Sequence, residues 1–193
     1  MSGSRIDHKL LKKEGKAVAF SPELAEKVQV LFSRYPAGRQ KSALLPLLHM
    51  VQEAFGGYLT VDLMDHIAGL IGIKPIEVYE VATFYSMYNL DKVGKYVIEV
   101  CQTGPCAMCG GESILDYLQE KLKIKAGETT ADGLFTLKTA ECLGACGYAP
   151  VMQINTKFYE FLTKEKIDTI IEELSRNSNN SNPSSERWAE KFF

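Results

Sequence analysis

Residues 94–111 read GKYVIEVCQTGPCAMCGG, and the chain changes character here. Tyr96, Ile98 and Val100 fall on one face of an alternating run, which predicts a strand over 95–101. Cys101 ends that strand and opens a glycine-containing loop. Beyond it, Ile114, Leu115, Leu118 and Leu122 form the apolar stripe of a predicted helix. Residues 135–141 predict a second strand. Residues 151–155 and 158–161 predict two more, joined by a tight polar turn. Thr163 then caps a last predicted helix, with Ile167, Ile170, Ile171 and Leu174 at i, i+3, i+4, i+7. Strand, helix, strand, hairpin, helix makes a compact α/β layer.

Upstream, residues 21–90 show helical spacing and no β-like alternation. Ser21-Pro22 is a cap followed by a first-turn proline, with Leu24, Val28 and Leu31 recurring behind it. A second helix is predicted from about Lys41 to Phe55, with Pro46 tolerated only in or near its first turn. A third follows Thr60 and stops at Gly72. A fourth starts at Pro75 and is expected to turn Val78, Val81, Ala82 and Tyr85 inward. The fold class is therefore α+β, with an N-terminal helical bundle ahead of the α/β layer. The expected division is an N-terminal extension (1–20), a helical domain (21–92), the α/β domain (93–175) and a polar C-terminal tail (176–193). His49 and His66 lie on different predicted helices with no nearby cysteine and read as ordinary helix residues.

The tail is rich in Ser and Asn, SRNSNNSNPSSER over 175–187, and is expected to be disordered on its own. The RWAEKFF that follows is different, because Trp188, Phe192 and Phe193 are costly to leave in water and suggest docking on a partner.

Composition narrows the function classes. A net charge of −2 offers no basic excess for nucleic acid or an anionic membrane surface. No apolar run approaches the ~20 residues of a membrane helix, and the polar N-terminus carries no secretory h-region. All five cysteines fall between 101 and 146, an odd and clustered set unlike a disulfide framework. A reduced compartment with a metal or redox site fits better.

The chemistry lies in CQTGPCAMCGG and ECLGACGYAP, which give Cys101-x4-Cys106 and Cys142-x3-Cys146 with 35 residues between the pairs. Each pair leaves the end of a predicted strand. Four thiolates, two per iron, are what a [2Fe–2S] cluster requires. Gly104, Gly110, Gly111, Gly144 and Gly147 let backbone N–H groups approach the sulfurs. Such a cluster carries −2 when oxidised and −3 when reduced. The helix that starts after Gly111 would offset part of that charge. No Lys or Arg stands in either loop, which favours a low potential. Structural zinc also takes four cysteines, usually on tighter knuckles. A thioredoxin-type reductase is suggested by Cys106-Ala-Met-Cys109 before a helix, at the cost of leaving the second pair unexplained. Cys109 is also open as a ligand in place of Cys106, with C-x7-C spacing. No G-x-G-x-x-G after a strand and no Walker loop is present, so NADH oxidation by the chain alone is not expected.

With these motifs, the chain resembles the small (24 kDa type) [2Fe–2S] subunit of the NADH dehydrogenase arm of respiratory complex I, NADH:quinone oxidoreductase. The stretches that carry the resemblance are YEVATFYSMYN (79–89), VGKY (93–96), CQTGPC (101–106), SILDYLQEKLKIKAGETT (113–130), ECLGACGYAPVMQIN (141–155) and YEFLT (159–163). The resemblance spans about residues 20–175. It implies a thioredoxin-like ferredoxin domain, with a cis peptide at Pro150, and places the ligands on Cys101, Cys106, Cys142 and Cys146. Cys109 then departs from the family pattern as a free thiol. It also implies two partner subunits, a flavoprotein that binds FMN and NADH and a larger iron–sulfur subunit. The location implied is the inner face of a bacterial membrane, held there by partners without insertion. The equivalent subunit of a soluble NAD-linked hydrogenase or formate dehydrogenase is the alternative. The short loops 103–108 and 147–149 suit close approach of a partner, as do Tyr79, Phe84, Tyr85 and Tyr88.

Overall fold

The structure is a computed structural model that describes residues 13 and 15–177. The expectations for the tail aromatics and for most of the N-terminal extension lie outside the described residues. The chain divides into two compact units between Lys92 and Val93.

The first unit is helical. Helix α1 (Pro22–Ser33) starts where the Ser21 hydroxyl accepts the Leu24 N–H at 3.2 Å. Helix α2 spans Leu44–Ala54 and is preceded by a 3-10 turn over Gln40–Ala43. The longer helix predicted from Lys41 is thus split, and Pro46 gives the reason. In a continuous α-helix its ring would press on the carbonyl of Ser42. With α2 beginning at Leu44, Pro46 falls in the first turn, where N–H groups have no intrahelical acceptor. Helix α3 (Val61–Ile71) is capped by Thr60, whose hydroxyl accepts the Leu63 N–H, and closes at Gly72. In helix α4 (Pro75–Phe84), the Glu77 carboxylate accepts the Lys74 N–H at 2.9 Å.

Leu47, Leu48, Val51, Met64, Ile67 and Val78 are fully or almost fully buried in the core of this unit. Tyr88 joins them and donates its hydroxyl to the Leu45 carbonyl. Tyr85 does not turn inward as expected. It caps α4 in an extended conformation and is exposed, with its ring edge-on to that of Phe84, which is 80% exposed.

His49, on α2, packs its ring 4.9 Å from that of Tyr88, and burial holds its pKa below the usual histidine value. The sign of the pH effect follows. Below about pH 6.5 the unfolded chain takes up a proton that the folded chain resists, so stability falls as pH drops from 6.5 toward the folded pKa. We expect the urea midpoint to decline between pH 7.5 and 5.5 more steeply in the wild type than in His49→Gln. Equal declines would assign the effect to other groups.

The second unit is a mixed four-stranded sheet in the order β2-β1-β3-β4. Strands β1 (Tyr96–Cys101) and β2 (Phe135–Ala140) are parallel, in register from Tyr96↔Phe135 to Cys101↔Ala140. The short helix α5 (Pro105–Met108) and helix α6 (Gly111–Leu122) form the crossover between them. Strands β3 (Met152–Ile154) and β4 (Lys157–Tyr159) form a hairpin, with β3 antiparallel to β1. Asn155 supplies the left-handed turn residue, φ 54°. Helix α7 (Lys164–Asn177) follows the Thr163 cap. Ile98, Val100, Leu118, Leu137 and Ile167 form one core with both long helices. Asp168 on α7 accepts from Tyr117 and Lys121 of α6, both at 2.6 Å.

The last predicted strand is shorter than expected. Phe161 lies outside it at φ 47°, exposed, because its N–H donates to the Tyr148 carbonyl instead of to a strand. The Ala149–Pro150 peptide is cis, as the resemblance implied.

Candidate metal centre

Parallel neighbours leave a sheet at the same end, so β1 and β2 deliver their two loops side by side. Cys101 is the last residue of β1, opposite Ala140, and its N–H donates to the Val151 carbonyl at 3.2 Å. Gln102 then donates to the Ala140 carbonyl at 3.0 Å, carrying the pairing into the first loop. Cys106 lies in α5. Cys142 follows β2, and Cys146 opens a 3-10 turn over Cys146–Tyr148.

Cys101 and Cys106 are in contact and almost fully buried, 3% and 2% exposed, with Val151 beside them and Leu143, Ala145 and Ala149 packed around. Cys142 and Cys146 are exposed, as is Cys109, which ends α5.

Backbone donors converge on the sulfurs. Burial opposes ionisation of Cys101. The N–H groups of Thr103 and Leu143, with the side chains of Cys106 and Thr103, outweigh that effect and hold its thiol below the usual range. Cys106 is pushed up, by burial first and then by its neighbour Cys101, although the Val151 N–H favours its thiolate and Cys146 adds a smaller upward push. Gly144, at φ 71°, donates its N–H to Cys142 Sγ at 3.3 Å, a conformation that side chains other than glycine adopt with strain. The pair therefore favours one thiolate readily and a second only with a cation to share, as iron binding would provide.

Gly111, the first residue of α6, permits the closest approach in the site. A Cβ there would stand 2.8 Å from the Cys106 carbonyl oxygen and 3.0 Å from that of Cys101. Among the described residues, no three of His, Cys, Asp or Glu converge as they would around one ion. A binuclear cluster asks for less at each metal, two thiolates per iron, and the N–H donors fit the sulfur-rich charge it brings. His49 and His66 belong to the helical unit. The ring of His66 packs edge-on to Phe20.

Sequence reasoning did not single out Thr103, or the N–H groups of Leu143 and Val151. Thr103 was readable inside the C-x4-C loop, whereas the backbone donors depend on the sheet geometry. Of the apolar surface beside the loops, sequence reasoning offered 103–108 and 147–149, which hold Met108 and Tyr148, but not Phe161. Met108 is 91% exposed, and the exposed rings of Tyr148 and Phe161 meet edge-on at 5.7 Å.

Paired thiols at the common end of two parallel strands suit a small thiolate-ligated electron carrier. The family model for the thioredoxin-like [2Fe–2S] ferredoxin matches residues 28–175, and the chain belongs to that family, whose cofactor is one [2Fe–2S] cluster. It is 47% identical over 150 residues to an NADH-quinone oxidoreductase subunit of Rickettsia felis, covering 78% of this chain and 90% of that protein. It is 41% identical over 158 residues to the mitochondrial NADH dehydrogenase [ubiquinone] flavoprotein 2 of Dictyostelium discoideum, covering 82% of this chain and 64% of that one. A solved structure of an NAD+-reducing [NiFe]-hydrogenase in the H2-reduced state is similar in fold, with a TM-score of 0.63 at 22% identity. That likeness covers 78% of this chain and only 24% of the hydrogenase chain. Among the described residues, no helix is long and apolar enough to cross a membrane.

Proposed function

We propose that this chain is the electron-carrying [2Fe–2S] subunit of an NADH:quinone oxidoreductase, with Cys101, Cys106, Cys142 and Cys146 as its ligands. The observation that carries the ligand assignment is the buried packing of Cys101 and Cys106 at the end of β1, with the Gly144 N–H on Cys142 Sγ in the second loop. When bound, the cluster supplies a one-electron couple. The chain's own residues hold the metal through thiolates, spread its negative charge over backbone dipoles and keep one side dry with Val151 and Leu143. Relatives above 40% identity named for NADH:quinone oxidoreductases favour this parent complex over a hydrogenase, where the likeness is one of fold.

The partner in this reading is the flavoprotein subunit that binds FMN and NADH, with the larger iron–sulfur subunit in the same complex. The complex is held peripherally at the inner face of the membrane. Met108, Tyr148 and Phe161 give that partner an apolar surface close to the ligand loops. Phe84 and Tyr85 are candidates for a second contact on the helical unit.

The purified chain is expected to be red-brown and to carry two irons and two acid-labile sulfides. Zinc thiolates do not absorb visible light, so a colourless chain with one zinc would overturn the reading.

A further inference from the structure

Thr103 stands between the two ligand loops and belongs, by sequence, only to the first. Its hydroxyl donates to the backbone carbonyl of Glu141, the residue immediately before Cys142. The side chain and N–H of Thr103 also favour the Cys101 thiolate. The Cys101 thiol points toward the same Glu141 carbonyl, at 3.9 Å. The Thr103 hydroxyl and the Cys101 sulfur thus meet at one carbonyl, at the start of the second loop.

We propose that Thr103 is a positioning residue of the redox site, whose hydroxyl ties the second ligand loop to the first and presents a dipole to the Cys101 sulfur. The inference rests on the proposed cluster at this site. Its chemistry has a definite sign. With iron on Cys101 the thiol proton is gone, so the Glu141 carbonyl and the sulfur share the single hydroxyl proton of Thr103. A donor near the sulfur stabilises negative charge, and the reduced cluster carries one more negative charge than the oxidised one. The hydroxyl therefore favours the reduced state and raises the potential. Thr103 is exposed, which leaves its contribution accessible to substitution without opening the core.

The test uses the full-length chain with its cluster, in the wild type, Thr103→Val and Thr103→Ser. Valine keeps the branched shape and removes only the hydroxyl, and serine restores it. An EPR-monitored redox titration is expected to move the midpoint of Thr103→Val to a more negative potential, with Thr103→Ser at the wild-type value. If Thr103→Val assembles no cluster, full assembly in Thr103→Ser supports the tie between the loops, and failure of both overturns it. A Thr103→Val midpoint equal to the wild type, or a serine variant that behaves as the valine one, also overturns it. A wild-type chain without a [2Fe–2S] spectrum would remove the proposed function itself. A normal wild-type spectrum with an unchanged valine variant removes this inference alone.

Discussion

Cys106→Ser is expected to lose the cluster's EPR signal or distort it badly, while Cys109→Ser keeps both signal and iron content. The two cysteines are three residues apart, and sequence spacing alone admits either as the second ligand. Their surroundings differ. Cys106 is almost fully buried against Cys101 and Val151, whose N–H favours its thiolate. Cys109 is exposed at the end of α5, where its own N–H is spent on the Pro105 carbonyl. A serine at 106 would leave one iron with a single sulfur from the first loop and a harder oxygen donor in place of the other. Iron analysis and EPR on both variants decide the matter. An intact signal in Cys106→Ser with loss in Cys109→Ser would transfer the ligand to Cys109.

Gly111→Ala is expected to cost about 1–3 kcal/mol of stability, in the range of overpacked sites, and to lower the iron bound per chain. The atoms its Cβ would strike, at 2.8 to 3.1 Å, are all backbone atoms of Cys106 and Cys101. A side chain could rotate away from such a contact, but these carbonyls move only if the ligand loop moves. Gly147→Ala is the control. It alters the other loop at a position where a Cβ meets nothing within 4 Å. Thermal unfolding and iron content should separate the two variants. A Gly111→Ala chain with normal iron and unchanged Tm would show that the loop can give without consequence.

Much of the fold was readable because caps and breakers act locally. Ser21, Thr60, Gly72 and Thr163 each mark a helix end through hydrogen bonds or a backbone angle within a few residues. The misreadings occur where a distant partner decides. Tyr85 fits the inward stripe of α4 by spacing, but the helix stops at Phe84 and the residue turns outward. Phe161 fits the end of a strand over 158–161, but the Tyr148 carbonyl takes its N–H and the strand ends at Tyr159. At the candidate centre, the cysteines and their strand-end positions were visible in the sequence. The donors from Leu143 and Val151 were not, because each reaches a sulfur from a segment remote in the chain.

The parallel pairing of β1 with β2 also fixes an order of biogenesis. Cys101 and Cys106 leave the ribosome with 35 more residues to be added before Cys142. At about 5–20 residues per second, that is a wait of roughly 2–7 s. Until then the nascent chain has only the cysteines of the first loop, and the β3 neighbour of β1 is translated later still. With the proposed ligands, the complete four-thiol recipient arises only when the sheet has closed around β1. In this reading, cluster delivery is a post-translational step on a folded domain, and a scaffold donating iron and sulfide has to recognise that folded end of the sheet.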